Sequence, residues 1–139
     1  MTEIDFYIHV KDKWSTTCRL VAKAYSRGLK VALLCPDAST CKELDDLLWS
    51  FSPTAFIPHC HANHPEAADS PVTLLDENSA PLHDDVLVNL HPQWPPQFSR
   101  FKRLVEIVSE DEEDKKLARA RFKFYRDRGY EIRTHDLSK

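Results

Sequence analysis

The sequence predicts an α/β fold built in three layers around a mostly parallel central sheet, and three observations carry that prediction. Short β-branched or aromatic runs alternate with segments of helical periodicity, the rhythm of a βαβαβ unit. KVALLC, residues 30 to 35, is nearly continuously apolar, as a strand covered on both faces must be. Both glycines of the chain, Gly28 and Gly129, stand just past helical patterns, where a left-handed stop is needed.

IDFYIHV, residues 4 to 10, is aromatic and β-branched enough for a first strand. The segment 15 to 28 places Cys18, Val21, Ala22 and Tyr25 at i, i+3, i+4 and i+7, which predicts an amphipathic helix ending at Gly28. KVALLC follows as the second strand. Asp37 or Ser39 caps a second helix that runs through Leu44, Leu47, Leu48 and Trp49 and ends before the SFSP turn, and AFIPH, 55 to 59, supplies a short third strand. From His59 to His91 the chain is rich in Pro, Asp, Asn and His, and only VTLL (72 to 75) and DVLVNL (85 to 90) read as strands. HPQWPPQF is a turn, and RLVEIV (103 to 108) is the last clear core strand. The Ser109 to Glu112 spacing is that of a capping box, which predicts a helix start there, with the acidic run through Asp114 favourable to its dipole. That helix ends at Gly129, and YEIRT adds an edge strand.

A chain of 139 residues fits one domain, 1 to 139, long enough to bury roughly two thirds of its unfolded surface. No apolar run reaches the length of a membrane span, and the N-terminus lacks a basic segment followed by an apolar core, so the expected location is cytoplasmic. Cys18, Cys35, Cys41 and Cys60 form no CxxC pair and read as reduced, mostly structural thiols.

Layered α/β sheets commonly cradle phosphates on a glycine-rich turn after the first strand, but here that turn reads VKDKWST. No cofactor is expected. GxSxG and HExxH signatures are missing as well, and no catalytic constellation is legible. His59, Cys60, His61 and His64 crowd one short segment, yet a structural zinc site draws on separated ligand pairs and no second cluster exists. The segment is read as a polar surface loop, with no metal.

Charge is distributed very unevenly. Residues 1 to 114 hold 10 Lys/Arg against 19 Asp/Glu, whereas residues 115 to 139 hold 9 against 3. Such a clustered field steers oppositely charged partners toward the C-terminal helix. At about 100° per residue, Lys115, Arg119, Phe122 and Arg126 share an arc of roughly 60°, with Leu117, Ala120 and Phe124 opposite as the expected packing face. A solvated basic face would account for the charges alone. An aromatic ring among them suits a ligand both acidic and apolar, such as a peptide ending in a hydrophobic residue and a carboxylate, with Arg119 as the carboxylate fork. Nucleic acid is the rival ligand, through phosphate neutralisation and base stacking. The acidic remainder of the chain would repel a long polyanion, which favours the peptide.

FYIHV, RGLKVALLC, LDDLLWSFSPTAFIPH, DVLVNL and above all KKLARARFKFYRDRGYEI, in this order, make most of the chain resemble the chi subunit family of bacterial DNA polymerase III. Residues 60 to 84 match least. The resemblance implies a Rossmann-like fold without nucleotide chemistry and a non-catalytic adaptor in the clamp-loader complex. It further implies a heterodimer with the psi subunit, docking of the acidic C-terminal tail of single-stranded DNA-binding protein, which ends in Pro-Phe, and only indirect contact with DNA. Positions matching the family's tail pocket are Lys115, Arg119 and Phe122, with Arg126 on the same arc and Val108 as an apolar wall. At 122 the resemblance leads one to expect tyrosine, and Phe122 keeps the ring without the hydroxyl. Positions matching the psi-facing surface are Trp49 and Phe56, with Pro58 nearby.

Overall fold

The structure is a computed structural model that describes residues 1–51, 57–76 and 79–138. Seven strands form one sheet: β1 (Glu3–Val10), β2 (Val31–Leu34), β3 (His59–His61), β4 (Val72–Leu75), β5 (Val86–Asn89), β6 (Arg103–Ser109) and β7 (Ile132–Asp136). Their order is β3-β4-β2-β5-β6-β1-β7, and every neighbouring pair is parallel. The helices are α1 (Lys13–Ser26), α2 (Ala38–Ser50) and α3 (Glu112–Asp127), with single 3-10 turns at Ala67–Asp69 and Phe98–Arg100.

Two apolar cores cover the two faces of the sheet. Cys18 and Val21 of α1 and Cys41, Leu44 and Leu48 of α2 pack on Val31, Leu33, Val88 and Ile107 on one side. Ala118 and Tyr125 of α3, with Phe98 and Phe101, pack on Ile4, Phe6, Leu87 and Leu104 on the other. Alternate residues of β1 and β6 thus feed opposite cores, which is why both strands carry apolar side chains on both faces.

Asp12 accepts from the Ser15 N–H and Asp37 from the Thr40 N–H, capping α1 and α2. Of the two expected caps for the second helix, Asp37 is the one in place. Gly28 and Gly129 have φ of +76° and +84°, the left-handed geometry expected just past a helix. Two expected element boundaries need correction. The third strand begins at His59, where AFIPH ends; Ile57 and Pro58 carry no regular structure, and residues 55 and 56 lie outside the described residues. Helix α3 starts at Glu112 with Asp111 as its cap, accepting from the Asp114 N–H, rather than on a Ser109 to Glu112 box. Ser109 instead donates to Asp114 Oδ2 through both its backbone N–H and its hydroxyl, each at 2.8 Å, so the carboxylate three residues inside the helix reaches back to the strand.

The packing face of α3 also differs from the amphipathic reading. Its buried side chains are Ala118, Arg121 and Tyr125, while Ala120 is exposed and Leu117 and Phe124 are half-buried. Phe124 lies under the Trp94 indole, with the Arg128 guanidinium 3.5 Å from its ring centre. Arg121 is tolerated inside because Glu106 of β6 is buried beside it and accepts from its Nε at 3.0 Å. Tyr125 Oη and Asn89 Nδ2 donate to the other Glu106 oxygen at 2.6 and 3.0 Å. Arg121 also donates to the Pro92 carbonyl at 2.9 Å. Burial drives the Glu106 carboxyl above the usual carboxylate range, against the pull of Arg121 and the donated hydrogen bonds. It also raises the Tyr125 phenol, which stays a donor.

Candidate functional site

Strands β6 and β1 are neighbours, but the chain leaves them in opposite directions. From β1 it crosses by α1 over one face toward β2, and from β6 it crosses by α3 over the other face toward β7. The crevice at their C-terminal ends is therefore a topological switch point, where open α/β sheets place their ligands.

A cavity of about 210 Å³ lies in that crevice. Phe6, Ile8 and His9 from β1, Val108 and Ser109 from β6, and Lys115, Ala118, Arg119 and Phe122 from α3 line it. Four of the expected pocket residues, Val108, Lys115, Arg119 and Phe122, are thus brought together. Arg126 is not among the lining residues; it lies exposed one turn further along α3, 3.8 Å from Asp127. The floor is apolar. Phe122 is half-buried and meets Phe6 edge to face, ring centres 5.3 Å apart, so one part of its ring anchors the helix and the rest faces the cavity.

Its position follows from the true rotation of α3. The buried arc of Ala118, Arg121 and Tyr125 is centred about 100° from the arc of Lys115, Arg119 and Phe122, rather than opposite it. Phe122 falls near the border between them.

The rim is cationic. Arg119 is exposed, and among the described residues no carboxylate pairs with it. Lys115 is partly covered, with Glu112 Oε1 at 3.7 Å and Glu110 Oε2 at 3.9 Å. Asp114 ties the rim to the body of the protein, taking the Ser109 donors and the Lys13 ammonium of α1 at 3.3 Å. Burial pushes the Asp114 carboxyl up, but the Ser109 N–H, the Lys13 charge and the Ser109 hydroxyl outweigh it and hold the carboxyl below its ordinary value.

The contribution of β1 was not expected from the sequence as a site. Phe6 and Ile8 fall on one face by simple alternation in IDFYIHV, and that signal was available. His9 was not legible. Between Tyr7 and Val10 strand β1 advances three residues against two on β6, a bulge, and His9 adopts φ of +58°.

The second surface lies at the opposite end of the sheet. Trp49, near the end of α2, is 49% exposed and its ring sits 4.3 Å from that of His59. Trp49 and half-buried Pro58 line one open cleft with His59, Cys60 and His64. Phe56 lies outside the described residues. Four strand steps, about 19 Å, separate β3 from β6, and α2 and α3 cover opposite faces, so the two surfaces lie apart.

The histidine-rich segment is held internally. His59 Nδ1 and Nε2 lie 2.6 Å from the Ile57 carbonyl and 3.0 Å from the Asp45 carbonyl, and His61 Nε2 lies 3.3 Å from Asp76. His64 Nδ1 accepts from the Glu66 N–H. Among the described residues no three His, Cys, Asp or Glu side chains converge as metal ligands would, and no helix is long and apolar enough to cross a membrane.

Comparison with known proteins gives a consistent result. The family profile described as DNA polymerase III chi subunit, HolC, matches residues 1–133. The DNA polymerase III subunit chi of Pseudomonas aeruginosa is 38% identical, covering 99% of this chain and 98% of the relative. The subunit of the same name from Escherichia coli is 27% identical over 84% of this chain and 80% of its own length, and that of Haemophilus influenzae 27% identical over 86% and 84%.

Proposed function

The chain belongs to the DNA polymerase III chi subunit family, and from that premise we propose that it is a non-catalytic adaptor with two independent docking surfaces. One surface, the cavity between β1, β6 and α3, receives the acidic C-terminal tail of single-stranded DNA-binding protein. The other, around Trp49, Pro58 and Phe56, receives the psi subunit and thereby the clamp loader. DNA is reached only through the protein that coats it.

The observation that carries this reading is the convergence of Val108, Phe122, Lys115 and Arg119 on one cavity at the switch point, with Arg119 free of any carboxylate among the described residues. An apolar floor of this volume holds a single aromatic side chain, and a cationic rim takes the carboxylates that flank it. Closing a terminal Phe into the cavity contributes about 1.5–3 kcal/mol and each charge-assisted hydrogen bond about 1.5–3, against an association cost of at least about 4. The surplus is a few kcal/mol, so an affinity no tighter than micromolar is expected, suited to a tether that is made and broken repeatedly.

The test is calorimetric titration, at low salt, with an acidic peptide ending in Pro-Phe, the same peptide amidated at its C-terminus, and a single-stranded oligonucleotide. The reading expects micromolar binding of the free acid and about ten-fold weaker binding of the amide, since one charge-assisted contact is lost. An oligonucleotide that binds tighter than the peptide transfers the basic helix to direct nucleic-acid binding.

A further inference from the structure

A carboxylate of the chain itself contacts two residues that line the cavity. Glu110 Oε1 lies 3.1 Å from His9 Nδ1, and Glu110 Oε2 lies 3.9 Å from Lys115 Nζ. His9 and Lys115 both line the cavity. Glu110 sits in the turn between β6 and α3, and its side chain bridges the β1 bulge and the first turn of the helix.

Among the described residues His9 is the only non-glycine with positive φ. Left-handed backbone in a residue with a Cβ is strained and persists only where the surroundings hold it. The bulge that imposes it carries the imidazole to the cavity wall rather than into the regular alternation of β1.

We propose that Glu110 is a displaceable latch. Its carboxylate occupies the places of an incoming acidic group, and docking of the peptide moves it off His9 and Lys115, which then face the ligand. His9 is on this account a ligand-contacting residue and Glu110 a specificity-determining one, because only a ligand with acidic groups beside its apolar anchor replaces what the latch gives up. The inference rests on the docking reading and adds to it an internal competitor for the same cavity groups.

The experiment compares binding of the acidic Pro-Phe peptide by wild type, Glu110→Gln, Glu113→Gln, His9→Asn, Arg119→Ala and the His9→Asn/Glu110→Gln double variant. Asparagine at position 9 is chosen because it tolerates the left-handed region. Replacing exposed Glu113, in the first turn of α3, removes the same charge three residues away without touching His9 or Lys115. The latch expects Glu110→Gln to tighten binding about three-fold, the size of one exposed ion pair, Glu113→Gln to change it by less than half of that, and the gain to shrink when His9 is already Asn, leaving the share due to Lys115. Binding unchanged or weakened in Glu110→Gln, an equal gain in Glu113→Gln, or an undiminished gain in the double variant overturns the latch while Arg119→Ala still loses affinity. No peptide binding by wild type, or Arg119→Ala binding like wild type, overturns the docking reading and the latch with it.

Discussion

The Arg121 guanidinium donates through Nε to Glu106 Oε1 at 3.0 Å, with both side chains almost wholly removed from solvent. This pair ties α3 to β6 and fixes the rotation of the helix. Leaving Arg121 inward turns Arg119 outward and brings Phe122 to the border of the core. The buried ion pair is thus the structural condition for the cationic rim.

Arg121→Ala leaves the Glu106 carboxylate buried without its counter-charge, and a loss of about 3–5 kcal/mol is expected. Tyr125→Phe removes one of the donors to that carboxylate and is expected to cost less, about 1–3 kcal/mol. Urea unfolding followed by circular dichroism gives both values, and the reverse order would contradict the assignment of Arg121 as the principal partner.

Acid sensitivity is expected to centre on Asp5. Its buried carboxylate takes His135 Nε2 at 2.9 Å, Arg103 Nη1 at 2.8 Å and Arg133 Nε at 3.1 Å, tying β1 to β6 and β7. Burial pushes the carboxyl up, but the His135 hydrogen bond and the Arg103 and Arg133 charges prevail and hold it below its ordinary 3.8. A lowered folded value stabilises above the unfolded one, so this contribution is complete at neutral pH and is lost as pH falls through 3.8 toward the folded value. Asp5→Asn is expected to lower the melting temperature at neutral pH and to flatten its decline below about pH 5. A decline as steep as in wild type would locate the acid sensitivity elsewhere.

Trp49 is half out of the protein, and Trp49→Ala is expected to change stability by no more than about 1 kcal/mol. Co-purification with psi should be lost and peptide binding retained. Concurrent loss of both would mean that the two surfaces are coupled, against their separation across the sheet.

Phe122→Ala is expected to weaken the Pro-Phe peptide at least ten-fold, since the ring forms much of the cavity floor, and to lower stability modestly through its contact with Phe6. Phe122→Tyr keeps the ring and restores a hydroxyl at the rim; tighter binding measured by calorimetry is the expected outcome.

Most of the sheet was legible in the sequence because its strands obey local rules. KVALLC, VTLL, DVLVNL and RLVEIV are apolar enough to be buried on two faces, and Asp37, Gly28 and Gly129 mark helix ends by their own chemistry. What failed was long-range. Arg121 reads as one more surface cation until Glu106, fifteen residues earlier, is placed beneath it. Ser109 reads as a helix cap until Asp114 takes its donors. Lys115, Arg119 and Phe122 were visible as a cluster because they share one helix, whereas His9 joins them through a bulge in a strand about 100 residues away in sequence, and no local pattern announces a bulge.

The most direct test is the affinity of Arg119→Ala for the acidic Pro-Phe peptide at low salt, measured by calorimetry beside wild type with equal melting temperatures as the control for folding. Loss of at least ten-fold, about one charge-assisted hydrogen bond, is the expected result. Wild-type affinity in the folded Arg119→Ala protein would contradict the account, because the cavity cation that no acid pairs with among the described residues would then be doing nothing for the ligand.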